Sequence, residues 1–175
     1  STGEELVPPG TMPTGDQIVA ATGPGLAAYV RALGADAHDL GIVGDTVEAI
    51  GAVADGAQAL DAHVLVTRGG ASVGDHELVG RALAEGGMTL DFWKIAMRPG
   101  KPLMFGRIGN TRALGLPGNP VPRYVTAFLF LLPVLRALGG AHEPLPRTLS
   151  FRLGATLPPA GDRAADSPCR TPSTP

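Results

Sequence analysis

Three short segments of the chain join glycine or proline to charged or hydroxyl side chains in patterns able to hold an anion. Arg68-Gly69-Gly70-Ala71-Ser72-Val73-Gly74-Asp75 follows the apolar run His63-Val64-Leu65-Val66-Thr67 and precedes a helical pattern. Adjacent glycines let backbone N–H groups turn toward a phosphate, the dipole of a following helix favours negative charge, and the Ser72 hydroxyl is a further donor. The segment is neither a Walker A loop nor a GxGxxG fingerprint, and a tight strand-to-helix turn would use the same glycines. In Pro99-Gly100-Lys101-Pro102 two prolines fix φ around a glycine and hold Lys101 in place. That suits a small oxyanion or a phosphate, although a hairpin with a solvated lysine is the plainer use. In Leu116-Pro117-Gly118-Asn119-Pro120-Val121, Asn119 and Pro120 form an N-cap and first-turn pair that needs no ligand to explain it.

Charge is distributed unevenly around these segments. Residues 1–91 hold 13 acidic side chains and three arginines, whereas residues 92–142 hold seven basic side chains and no acid. Such a stretch marks either an anion partner or a basic face that balances an acidic one. The chain has 12 arginines and two lysines, and both lysines, Lys94 and Lys101, fall within Trp93-Lys94-Ile95-Ala96-Met97-Arg98-Pro99-Gly100-Lys101-Pro102. Lysine is a mobile point charge and arginine a planar fork, so this clustering points to a chemical preference. Glu4, Glu5, Asp45, Asp75 and Glu77 fall in predicted loops beside strand ends. Carboxylates gathered beside phosphates hold Mg²⁺, and each one singly also serves as a cap or a solvated acid. His38, His63, His76 and His142 are scattered without ligand spacing, and no nucleophile–histidine–acid set stands out.

The elements that must position these groups follow from periodicity. A helical pattern runs through Leu26, Tyr29, Val30 and Leu33 to Gly34, and residues 35–43 fit a strand. Asp45 is placed to cap a helix through Val47, Ile50, Val53 and Leu60. Residues 63–67 read as a buried strand and 76–86 as a helix. Strands follow at 89–97, Leu103–Ile108 and Ala113–Leu116, with a Gly109-Asn110 turn, and an apolar helix runs from Pro117-Gly118-Asn119-Pro120 to about Leu138. Alternating strands and helices of this length predict an α/β sheet covered on both faces. Leu149–Leu153 fits one further strand, and the 18 residues beyond Leu157, with five prolines and no large aliphatic or aromatic side chain, predict disorder. With 44% hydrophobic residues and a net charge of −2, the rest of the chain supports a core. The single Cys169 excludes an internal disulfide framework and a cysteine-cluster zinc site. No apolar run approaches the roughly 20 residues of a membrane span, and no basic-then-apolar leader opens the sequence. No membrane partner and a cytoplasmic location are the expectation.

Taken together, the motifs resemble a known family. Ser1-Thr2-Gly3-Glu4-Glu5-Leu6 resembles STGDEL, and Gly69-Gly70-Ala71-Ser72-Val73-Gly74-Asp75 resembles SGGVSVGD. Phe92-Trp93-Lys94-Ile95-Ala96-Met97-Arg98-Pro99-Gly100-Lys101-Pro102 resembles FWKVAMKPGKP, and Gly115-Leu116-Pro117-Gly118-Asn119-Pro120-Val121 resembles GLPGNPVS. In this order they are similar to the MoeA/gephyrin E-domain family of molybdopterin molybdenumtransferases. The related MoaB/Mog and CinA proteins share the core fold and the double-glycine loop but generally lack the WK…PGKP string. The resemblance implies a three-layer α/β/α sandwich of the MoaB/Mog type. It implies a dimer in the full-length protein and insertion of molybdate into adenylylated molybdopterin with Mg²⁺. By position it implies catalytic roles for Asp45, Glu77, Lys94, Arg98 and Lys101, with Asp45 and Glu77 on the metal. Arg98, Gly100, Lys101 and Pro102 would hold molybdate. Glu5, Gly69, Gly70, Ser72, Gly74, Asp75, Pro117, Gly118, Asn119 and Pro120 would line the molybdopterin and nucleotide site.

The resemblance also implies a division at residues 1–142, a molybdopterin-binding domain without its first half-strand, and 143–175, the truncated start of a C-terminal β domain. Some positions depart from the family. Ala20, Ala21 and Thr22 stand where it usually carries Asp, Ser and Asn, Arg68 precedes the glycine pair in place of serine, and Pro122 replaces the serine after NPV. These departures leave open a degenerate or truncated homologue that binds molybdopterin or a nucleotide without catalysis. A nucleic-acid-binding module is a third reading of the basic segment, and the absence of a recognised motif argues against it.

Overall fold

The computed structural model describes residues 1–3, 5–68, 73–150, 156 and 162–165, and for residues 68, 73–77 and 165 the backbone alone. The elements in chain order are β1 (Leu6–Val7), β2 (Ile18–Val19), α1 (Thr22–Ala32), α2 (Val47–Ala59), β3 (Val64–Arg68), α3 (Val73–Glu85) and β4 (Thr89–Lys94). They continue with β5 (Met97–Arg98), β6 (Pro102–Ile108), β7 (Thr111–Leu116), α4 (Pro120–Leu138) and β8 (Ala164–Ala165). The main sheet has the order β3-β7-β6-β4, with β3 parallel to β7 and the other two pairings antiparallel. β1 with β2, and β5 with β8, form separate short parallel pairs.

Alternation along the strands divides the core into two faces, because successive side chains point to opposite sides of a sheet. On one face Leu65, Met104, Ile108 and Ala113 pack against Ile50, Ala54 and Ala57 of α2 and Val79, Ala82 and Leu83 of α3. On the other, Leu103, Leu114 and Leu116 pack against Leu26 of α1 and Ala127 and Leu131 of α4, with Val64, Val66 and Phe105 beside them. Helices therefore cover both faces, and the α/β/α expectation holds. The small buried side chains of Ala54 and Ala57 in α2 and Ala82 in α3 let both helices sit close to the sheet and to each other.

Several local expectations change. Residues 35–42 form no strand; only Val43 makes a single parallel bridge, to Thr2. Local bonds take up the backbone there: Asp39 Oδ1 accepts from Gly41 N–H, and Arg31 Nη2 donates to the Ala37 carbonyl. Such Asx bonding competes with sheet formation. Thr46, not Asp45, caps α2, its hydroxyl oxygen accepting from Ala49 N–H at 3.1 Å. α1 begins at Thr22, so Gly23 and Pro24 lie inside its first turn, where the missing proline donor costs nothing. The strand expected over 89–97 ends at Lys94, after two register shifts in its pairing with β6. α3 begins at Val73, three residues earlier than expected. Of the strand expected at Leu149–Leu153, residues 149 and 150 are not in a strand and the rest lie outside the described residues, as does most of the tail.

α4 runs 19 residues at a mean hydropathy of 1.5, long and apolar enough by those measures to cross a bilayer, which corrects the expectation that no segment is. Its inner face is spent on the sheet, and Arg123 and Thr126 are buried along it. Within it, Ala127–Leu131 widens into a π turn just before Pro133. Proline cannot donate to the carbonyl four residues back and its ring crowds that group, so a wider turn lets the helix pass Pro133 without breaking.

Two stability predictions follow from this packing. Leu83 is fully buried, and Leu83→Ala should cost about 2–5 kcal/mol in urea unfolding, whereas Leu145→Ala, at a largely exposed position, should stay within about 0.5 kcal/mol. The Tyr29 hydroxyl is buried without a hydrogen-bond partner among the described residues. Burial raises its pKa above the usual 10.0, and the Arg136 charge partly opposes that rise. The folded state thus keeps a proton that the unfolded state begins to lose near pH 10, so stability is full below pH 10 and falls above it. Tyr29→Phe should flatten this alkaline loss in a pH series of urea midpoints.

Candidate functional site

The strand register puts Arg68, which opens the first anion-type segment, and the other two segments on one edge of the main sheet. Arg68, the last residue of β3, is opposite Leu116, the last residue of β7. Gly115 of β7 is opposite Met104, so the Pro102 end of β6 lies at the same edge, and Pro102 is in turn opposite Lys94, the last residue of β4. At about 4.8 Å per strand, the row from Arg68 to Lys94 spans roughly 15 Å. Helix starts gather there too. The Gln58 side chain, late in α2, lies beside the Gly109 turn at the opposite edge, which directs the α2 N-terminus toward this one. α3 begins five residues after β3 ends, and α4 four residues after β7 ends. This is the ligand edge of an open α/β sheet.

The basic hairpin is closed by a hydrogen bond from Ile95 N–H to the Lys101 carbonyl at 3.0 Å. Lys94, Arg98 and Lys101 are all exposed. The Lys94 ammonium lies over the Trp93 ring, 4.7 Å from its centroid, a cation–π contact that holds the charge near the sheet edge. Phe92 stacks on Phe105 at 5.6 Å across the β4–β6 pairing. Gly100 is buried, with φ of +113°. A Cβ there would lie 2.5 Å from Met97 Cε and 2.7 Å from Thr126 Cγ2. Glycine alone lets the hairpin tip press against α4, which seats Lys101 relative to that helix.

The Pro117–Pro120 loop is held from beneath. Asn119 Oδ1 accepts from Val121 N–H at 3.2 Å, the expected cap. Arg123, only 6% exposed, donates from Nε to the Pro117 carbonyl at 2.9 Å, from Nη2 to the Gly118 carbonyl and from Nη1 to the Thr22 hydroxyl. Sequence reasoning passed over Arg123. Its signal is an arginine in the first turn of a helix, where the dipole disfavours a cation and local acceptors must compensate. Thr22, one of the departures from the family pattern, is thereby engaged in the fold.

The acids are less closely drawn together. Glu5 is exposed, and its carboxylate folds back to within 2.7 Å of where a Gly3 Cβ would stand. Asp45 is exposed and follows by two residues the Val43 bridge to Thr2, while Glu5 follows the same bridge by three. Asp75 and Glu77 lie in the first turns of α3, and their side chains are not among those described; Gly69, Gly70 and Ser72 lie outside the described residues, and Gly74 is in the first turn of α3. Among the described residues no group of three or more His, Cys, Asp or Glu side chains could hold a metal ion. A cavity of about 450 Å³ lies elsewhere, lined by Phe128, Arg136, Glu143, Leu145, Pro146 and Arg147.

Gly100→Ala should lower stability by about 1–3 kcal/mol in urea unfolding, since two side chains must move and φ is strained. Lys101→Ala, on an exposed side chain, should change stability by less than about 0.5 kcal/mol.

Residues 1–137 match the family model described as "Probable molybdopterin binding domain". The chain is 38% identical over 169 residues to "Molybdopterin molybdenumtransferase 2" of Mycobacterium tuberculosis, covering 93% of this chain and 42% of that protein. Its fold matches the crystal structure of a molybdopterin biosynthesis MoeA protein from Pyrococcus horikoshii, with a TM-score of 0.70 and 32% identity over 79% of this chain and 34% of the other. A MogA structure, 21% identical with a TM-score of 0.51, shares the fold over 67% of this chain and 89% of its own length. The chain thus spans well under half the length of the transferase it matches. With the WK…PGKP hairpin and the PGNP loop on one sheet edge of this fold, the chain belongs to the MoeA/gephyrin family of molybdenum cofactor biosynthesis proteins.

Proposed function

We propose that the chain is the ligand-binding domain of a molybdopterin molybdenumtransferase. The full-length protein would insert molybdate into adenylylated molybdopterin, releasing AMP and molybdenum cofactor. The observation that carries this reading is the single sheet edge on which the basic hairpin, the Pro117–Pro120 loop and the start of α3 meet. Two classes of anion must be held close together in this reaction, and unlike-charged groups fixed in advance stabilise the charge that develops when the phosphoanhydride is cleaved. In this reading Arg98, Gly100, Lys101 and Pro102 receive molybdate, and Lys94 neutralises phosphate. Glu5, Asp75, the 69–74 loop and the Pro117–Pro120 loop line the pterin and nucleotide.

Asp45 and Glu77 would hold Mg²⁺, which when bound supplies charge neutralisation at the phosphates. Asp45 stands just ahead of α2 and Glu77 in the first turns of α3, two positions near the helix starts of the same edge. A domain limit near residue 142, a homodimer of the full-length protein and a cytoplasmic setting belong to the same proposal. The family-model match to residues 1–137 supports the limit.

A second reading, binding without catalysis, is favoured by Ala20, Ala21 and Thr22. The first two carry no polar side-chain group, and the Thr22 hydroxyl already accepts from Arg123.

Calorimetric titration with adenylylated molybdopterin separates these outcomes. The chain should bind, more tightly with Mg²⁺ than without it. Arg98→Ala and Lys101→Ala should each weaken molybdate or phosphate binding about tenfold or more, the loss of one charge-assisted contact. Asp45→Ala with Glu77→Ala should abolish the Mg²⁺ dependence, and an unchanged dependence would remove both acids from the site. The 175 residues alone should bind without turnover, and molybdenum insertion by them would contradict that expectation.

A further inference from the structure

We propose that Arg123 is a positioning residue that turns the Pro117–Pro120 loop toward the ligand, an inference that rests on the function proposed above. Its guanidinium takes the Pro117 and Gly118 carbonyls as acceptors from the buried side and ties them to the Thr22 hydroxyl at the start of α1. In a trans peptide the N–H points opposite to the C=O of the same unit. Drawing the carbonyls of Pro117 and Gly118 down onto Arg123 therefore turns the N–H groups of Gly118 and Asn119 to the outer side. Gly118 and Asn119 are both exposed there, at the sheet edge shared with the basic hairpin. Two successive outward N–H groups form the kind of concavity that receives an anion. Arg123 itself is buried, so its contribution runs through the backbone and not through contact with the ligand.

The planar fork is what the geometry uses. Three nitrogens reach three acceptors on two separate segments, which a lysine ammonium cannot reproduce at one point. The fork also explains how a cation is accommodated in the first turn of a long helix, since three oxygens offset the unfavourable dipole.

The test uses the full chain with Arg123→Lys and Thr22→Val. Backbone amide resonances of Gly118 and Asn119 are recorded without ligand and with adenylylated molybdopterin, alongside calorimetric affinity and the thermal midpoint. Arg123→Lys is expected to keep a cooperative melt, to displace both ligand-free amide resonances and to weaken binding about tenfold or more per folded molecule. Thr22→Val is expected to weaken it severalfold and to be non-additive with Arg123→Lys, as for groups sharing one network. A folded Arg123→Lys chain with unchanged amide resonances and unchanged affinity would overturn the proposal. A lower thermal midpoint with unchanged affinity would also overturn it, reducing Arg123 to a structural role. If the wild-type chain does not bind adenylylated molybdopterin, the proposed function fails, and the ligand-free resonances still decide whether Arg123 sets the loop. Should Arg123→Lys not fold, the Thr22→Val resonances and affinity decide in its place, and no change in either would overturn the proposal.

Discussion

β7 is hydrogen-bonded on both sides, parallel to β3 and antiparallel to β6, and its residues Ala113, Leu114, Gly115 and Leu116 are all buried. Most of the rest depends on this strand. The parallel pairing brings the end of β3 beside the end of β7. The tight Gly109-Asn110 turn brings the start of β6, and with it Lys101 and Pro102, back to the same edge. If β7 slipped by one residue, Leu114 and Leu116 would exchange faces with Ala113, and both clusters would lose their fit. The alternation of small and large side chains along β7 therefore fixes the register and, through it, the site.

Above that edge, two contacts against one helix hold the loops. Gly100 presses the basic hairpin onto Thr126, and Arg123 holds the Pro117–Pro120 loop from inside. These positions lie three residues apart on α4, close to one turn, so both loops are referred to one rigid element. The buried Thr126 hydroxyl donates back to the Pro122 carbonyl at 2.8 Å, with the Arg123 carbonyl as an alternative acceptor at 3.0 Å, and so is satisfied where it lies under the hairpin. Such bonding back along the helix, together with Pro133, accompanies the π turn that separates the part of α4 serving the loops from the part that fills the core.

The charge asymmetry gains a physical meaning in this arrangement. Three of the seven basic side chains of residues 92–142, Lys94, Arg98 and Lys101, lie in the hairpin at this edge, whereas Arg107 and Arg112 flank the turn at the opposite one, and Asp45, Asp75 and Glu77 stand at the starts of α2 and α3. Opposed charges gathered at helix N-termini suit polyanions that need both neutralisation and orientation.

The sequence by itself determined the class of fold, the order of its main helices and strands, the Asn119 cap and the family, because these rest on local periodicity, turn chemistry and contiguous motifs. The WK…PGKP and PGNP segments were legible for the same reason, since rigid glycine–proline patterns carry their geometry with them. What only the tertiary structure decided came from partners distant in sequence. The failure of residues 35–42 to pair, the parallel match of β1 with β2 and the burial of Gly100 against Thr126 are of this kind. The clearest case is Arg123, whose acceptors include a hydroxyl 101 residues away. Nothing in local sequence records that contact, because a side chain reveals its acceptors only after the sheet has brought the start of α1 beside the end of β7.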